Sequence, residues 1–98
     1  MGRVSETERV LVLSLADTSG IRALASGKAL VGVGSAEQVC AARREFADLD
    51  NVMFVRGSRD EIPWQTQWFA LIVDADGGAA TEAMLRVLAP GGRIVAGG

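Results

Sequence analysis

Ninety-eight residues suffice for one hydrophobic core and leave no room for a separate substrate domain. Half of them, 49%, are apolar, and ten basic residues stand against twelve acidic ones for a net charge of −2. That balance supplies no basic stripe for nucleic acid, no apolar run approaches the roughly 20 residues that span a bilayer, and the apolar surplus of so short a chain points to a surface that meets a partner.

Histidine is absent, which removes the commonest general base and argues against a nitrogen-ligated zinc site. Cys40 is the single cysteine, so no intrachain disulfide forms and a reducing compartment is expected. The first residues, Met1 to Glu6, lack the apolar core of a signal peptide, and Glu6 breaks the myristoylation pattern. A cytoplasmic, membrane-free protein is the expectation.

Arg9 to Leu15 (RVLVLSL) is almost continuously apolar, as suits a central parallel strand buried on both faces. A turn from Ala16 to Gly20 leads into a short helix through Ile21, Leu24 and Ala25, stopped by Gly27. Ala29 to Val33 is the second strand. Ser35 and Gln38 have the spacing of a capping box, which predicts a helix from Ala36 with Val39, Ala42, Phe46 and Leu49 as its buried stripe. Cys40 is expected beside that stripe as a small core residue. Val52 to Arg56 is the third strand, and Gly57 to Gln67 reads as a surface connection. Phe69 to Asp74 is the fourth strand. A helix is predicted from about 79 to 88, with Ala80, Met84, Val87 and Leu88 toward the sheet. Pro90-Gly91-Gly92 ends it, and Arg93 to Ala96 is the fifth strand.

This order implies an α/β fold: a doubly wound, open parallel sheet of five strands ordered 3-2-1-4-5, with three main helices. Right-handed crossovers place the first two helices on one face and the last on the other. Ligands of such sheets bind at the carboxyl ends of the strands where the order reverses, here between strands 1 and 4.

Five segments in that order resemble the class I S-adenosylmethionine (SAM)-dependent methyltransferases. Val12-Leu13-Ser14-Leu15-Ala16-Asp17-Thr18-Ser19-Gly20 is similar to V-L-D-L-G-x-G-T-G, and Leu30 to Ser35 with Ala42-Arg43-Arg44 to V-V-G-V-D-x-S…A-R-R. Asn51 to Trp64 tracks N-V-x-F-x-x-G-D-A-x-x-L-P-F, Phe69 to Val73 matches F-D-L-V-V, and Leu85 to Val95 matches L-R-V-L-K-P-G-G-R-L-V. The resemblance implies cofactor positions at Ser14, Ala16, Thr18, Gly20, Gly34, Ser58 and Arg59. It also implies a carboxylate after strand 2 for the ribose and another after strand 3 for the adenine. Neither is present: Val33-Gly34 ends the second strand and Ser58 follows the third. Ser14 and Ala70 replace two further acids, and Ala16 and Thr18 replace two glycines of the turn. Losing a bidentate carboxylate forfeits about 1.5–3 kcal/mol, so two losses weaken cofactor binding by roughly two to four orders of magnitude if they add.

Asp74 and Asp76 read either as substrate-contacting groups or as caps of the following helix. Arg43 and Arg44 near Gly34-Ser35 invite a comparison with 2′-phosphate recognition, against which the missing glycine-rich turn counts. Ending soon after Ala96, the chain lacks the family's C-terminal β-hairpin, so strand 5 is expected as an open edge. The face with a single helix is expected to leave strands 1, 4 and 5 underprotected. Trp64, Trp68, Arg93 and Val95 are then candidate interface residues of a homo-oligomer or of a complex with another protein. The expected function is a non-catalytic methyltransferase-like domain acting by association, with no cofactor or only weak SAM binding. The alternative is a minimal SAM-dependent methyltransferase or an adenine-nucleotide-binding domain.

Overall fold

Val10, Leu11, Val12 and Leu13 are at most 5% exposed, a burial that needs strand neighbours on both edges and cover on both faces. In the computed structural model, which describes residues 9–13, 15, 18, 20–25, 29–58, 60–74 and 80–96, they belong to β1 (Arg9–Leu13) at the centre of a five-stranded sheet. The elements that follow are α1 (Ile21–Ala25), β2 (Ala29–Gly34), α2 (Ala36–Glu45), β3 (Val52–Arg56), β4 (Phe69–Asp74), α3 (Glu82–Val87) and β5 (Leu88–Ala96). The order is β3-β2-β1-β4-β5 and all four pairings are parallel, as the sequence predicts.

The alternation of β1 divides the core in two. Val10 and Val12 pack with Ile21, Val39, Phe46 and Phe54 under α1 and α2, whereas Leu11 and Leu13 pack with Val31, Ile72, Met84 and Val87 under α3. Each such side chain contributes about 1.5–3 kcal/mol when fully buried. The capping box starts α2 as expected: Ser35 Oγ accepts the Gln38 N–H at 3.2 Å, and Gln38 Oε1 accepts the Ser35 N–H at 3.1 Å. At the other end of α1, Asn51 Nδ2 donates to the Ala25 carbonyl. An ion pair at 2.9 Å joins Arg22 to Asp48. It holds the Asp48 carboxyl below its usual range and raises Arg22, although two exposed partners stabilise little.

Four expectations need correction. Cys40 is exposed, because it lies one position off the Val39–Ala42 stripe. The last helix is only Glu82–Val87, with Thr81 Oγ1 accepting the Met84 N–H at 3.1 Å, and Ala80 is exposed. Leu88 opens β5 rather than closing the helix, and Ala89 to Gly92 bulge opposite Ala70 before the ladder resumes at Arg93. Gly91 takes φ +81° there, a left-handed angle that favours glycine.

The fourth correction concerns the underprotected face. The connection from Gly57 to Trp68 folds over the α3 side, burying Ile62 and half-burying Trp64 and Trp68. Arg86 fastens it there: Nη2 donates to the Ile62 carbonyl at 2.7 Å, and Nη1 to the Trp64 carbonyl at 2.9 Å and Thr66 Oγ1 at 3.3 Å. The thin cover lies on the opposite face. There the register sets Leu71 beside Arg93 and Val73 beside Val95, while α1 packs on β2 and α2 on β2 and β3. Leu71 and Val73 are therefore half-buried, and Val95 is 42% exposed. Among the described residues, no helix is long and apolar enough to cross a membrane.

Candidate functional site

Register brings the carboxyl ends of three strands together, with Leu13 between Val33 on one side and Asp74 on the other. The helices that follow β1 and β4 pack on opposite faces, α1 with Val10 and Val12 and α3 with Leu11 and Leu13, which makes the boundary between these two strands the topological switch point of the sheet. Of the candidate positions, Thr18, Gly20, Gly34, Ser58 and Asp74 can be placed, while Ser14, Ala16, Arg59 and Asp76 lie outside the described residues.

Each placed position is engaged in holding the frame. The Thr18 hydroxyl donates to the Glu45 carboxylate at 3.0 Å, and its carbonyl accepts the Ile21 N–H at 3.1 Å. The Gly20 carbonyl accepts the Leu24 N–H in the first turn of α1, and a Cβ on Gly20 would meet nothing within 4 Å. Ser58 Oγ accepts the Asp60 N–H at 3.3 Å, inside a turn closed by two bonds between the Ser58 and Glu61 backbones. Gly34 accepts the Gly57 N–H at 3.1 Å. A Cβ on Gly34 would lie 2.6 Å from Gln38 Oε1 and 3.2 Å from Leu15 Cδ1.

Two of these findings bear directly on the cofactor that the resemblance implies. Gly34 offers no carboxylate for a ribose, and the Gln38 amide occupies the space into which a side chain there would project. Ser58 offers a hydroxyl already bound within its own turn. Neither position supplies the carboxylate that the resemblance implies. Gln38 was legible only as a cap; the spacing that makes it one also carries its amide back over the end of β2.

Asp74 is 2% exposed and is the one buried charged residue among those described. It shares a face with Ile72, beside Leu13. The N-cap of α3 is Thr81, seven residues further on, so Asp74 does not cap that helix. A cavity of about 470 Å³ runs between Leu15, Thr18 and α2, with Glu37, Gln38 and Glu45 on its wall. Among the described residues no cluster of metal-ligating side chains occurs. Arg43 lies eight residues along from the N-cap Ser35, about 12 Å on a helix. It donates instead to the Phe54 carbonyl at 3.0 Å, away from the strand ends.

The interface candidates are distributed over both faces. The Trp64 ring lies 6.1 Å from that of Phe69, and its buried indole nitrogen meets no hydrogen-bond partner among the described residues. The Arg9 guanidinium sits 3.8 Å over the Trp68 ring. Arg93 and Val95 are exposed on β5.

No family model and no curated protein matches the chain. Solved structures do. A chain of the complex between the Haloferax volcanii Trm112 methyltransferase activator and a methyltransferase superposes with a TM-score of 0.75 at 24% identity, over 92% of this chain and 44% of that one. The YcgJ protein of Bacillus subtilis gives 0.71 at 21%, over 91% and 43%. A geranyl diphosphate methyltransferase solved with its diphosphate substrate and sinefungin gives 0.73 at 19%, over 97% and 40%. The chain thus spans less than half the length of these structures, and what it shares with them is the strand and helix frame of the class I methyltransferase-like fold.

Proposed function

We propose that the chain is a non-catalytic methyltransferase-like domain that works by protein association, as a homodimer or as an accessory subunit. The observation that carries this reading is the end of β2, where Gly34 replaces the ribose carboxylate and Gln38 fills the vacated space. Ser58 in the place of the adenine carboxylate supports it, as does the exposed Val95 on an edge strand. One of the similar structures is itself a complex of a methyltransferase with an activator protein.

A second reading, a SAM-dependent methyltransferase completed by other segments or subunits, is favoured by the buried Asp74 at the switch point between β1 and β4. Thermal stabilisation distinguishes the two. A ligand selective for the folded state stabilises it by about 2.7 kcal/mol at 100 times its Kd, on the order of 10 °C for a domain of this size. With SAM or S-adenosylhomocysteine at millimolar concentration we expect no such saturable shift. A shift confirmed by calorimetry at micromolar affinity would replace the first reading by the second.

A further inference from the structure

Among the described residues, the outer edge of β3 combines backbone groups with no strand beside them, a groove and unneutralised charge. The Asn51 carbonyl accepts the Leu30 N–H, and the Gly57 N–H donates to Gly34, so the odd-numbered residues of this segment face β2. Val52, Phe54 and Arg56 therefore turn their N–H and C=O groups outward. One of these groups is occupied: the Phe54 carbonyl accepts Arg43 Nη2. Helix α2 runs back along this edge, and two adjoining cavities of about 200 and 360 Å³ lie along it, both lined by Arg43. Phe46, Val52 and Phe54 give the first an apolar wall; Val39, Cys40, Val55 and Arg56 line the second. Met53, 53% exposed, borders the first.

The charge here runs against that of the whole molecule. Arg43 and Arg56 line one cavity with Cys40, Arg44 Nη2 lies 3.7 Å from Cys40 Sγ, and none of the three arginines meets a carboxylate among the described residues. The single ion pair found there, Arg22–Asp48, does not involve them. A protein of net charge −2 thus concentrates uncompensated positive charge along one strand edge.

We propose that this edge docks an extended acidic segment of a partner protein, added to β3 as a further strand. Main-chain bonds form with Val52, Phe54 and Arg56, and carboxylates at alternate positions on the α2 side meet Arg43 and Arg56. Arg43 makes the exchange selective. An incoming neutral strand must displace it from the Phe54 carbonyl and leaves the guanidinium unpaired, whereas an acidic strand provides both a donor for the carbonyl and an acceptor for the arginine. In the free protein the same side chain blunts the edge against indiscriminate pairing. A second copy of β3 does not fit, because it would present Val52, Phe54 and Arg56 on the α2 side and bring no carboxylate to the arginines. The inference concerns β3 alone and stands apart from the association assigned to β5.

The test is a titration of the ¹⁵N-labelled full chain with an end-blocked hexapeptide of alternating glutamate and valine, beside its lysine counterpart. Saturable shifts are expected at Val52 to Arg56 and at Arg43, weakening about tenfold in the double variant Arg43→Ala/Arg56→Ala and in molar salt. Should the double variant fold poorly, Arg56→Gln, an exposed position, carries the comparison by itself. Equal binding of the lysine peptide, shifts confined to β5, or no saturable shift at millimolar peptide would each overturn the proposal. So would complete displacement of the acidic peptide by millimolar inorganic phosphate, which would assign the arginines to a small anion.

Discussion

A Cβ on Gly57 would stand 2.6 Å from the Glu61 carbonyl oxygen and 3.0 Å from both Pro63 Cδ and Val33 Cγ1. The first of these is backbone, fixed by the bonds between Ser58 and Glu61, so the turn cannot yield as a side chain would. Gly57→Ala is expected to destabilise the protein by about 1–3 kcal/mol, read from the urea midpoint at unchanged slope. An unaltered midpoint would show that the turn relaxes. Gly34 differs, since its obstacle is the end of a flexible amide, displaced at the loss of one capping bond. Both glycines stand in motifs that the sequence displays. What the sequence hides is the reason for each, because a close approach depends on atoms brought from 4 residues away, as at Gly57, or from another strand.

At the scale of elements, β1 and α2 were legible because their signals are local. An unbroken apolar run marks a strand buried on both faces, and Ser35 with Gln38 marks the start of a helix. The connection after β3 was not legible as core. Its cover of the sheet comes from Ile62, Trp64 and Trp68 at no regular spacing, and it is held by Arg86, whose partners are mostly carbonyl groups that any residue supplies. The helix α3 is shorter than its spacing predicts for a related reason: Leu88 continues the apolar spacing of the helix but is claimed by pairing with Phe69. Arg86→Ala should therefore cost about 2 kcal/mol through charged hydrogen bonds, with faster proteolysis between Pro63 and Gln67. Arg86→Lys should recover only part of it, because an ammonium lacks the planar fork that reaches two carbonyls at once. Equal stability of the alanine variant would mean that the tryptophans alone hold the connection.

For the whole molecule, the thin cover over β4 and β5 is the feature that most needs a partner. Val95 is exposed beside the half-buried Val73, on an edge whose only described neighbour is β4. If the mate is another copy, sedimentation at micromolar concentration should give about twice the 10.3 kDa chain mass, and Val95→Lys should return it to one. A wild-type monomer that stays soluble at high concentration would remove the support for self-association. The switch point between β1 and β4 was legible because strand order sets it, whereas the filling of the space at the end of β2 was not, because it comes from the Gln38 amide, read from sequence only as a cap. The central strand has one more consequence. β2 and β3 with α1 and α2 form one half of the sheet, β4 and β5 with α3 the other, and β1 is the seam between them. Parting the halves would strip β1 of a full ladder and wet residues now at most 5% exposed, so slow hydrogen exchange is expected along β1, at rates close to those of global unfolding.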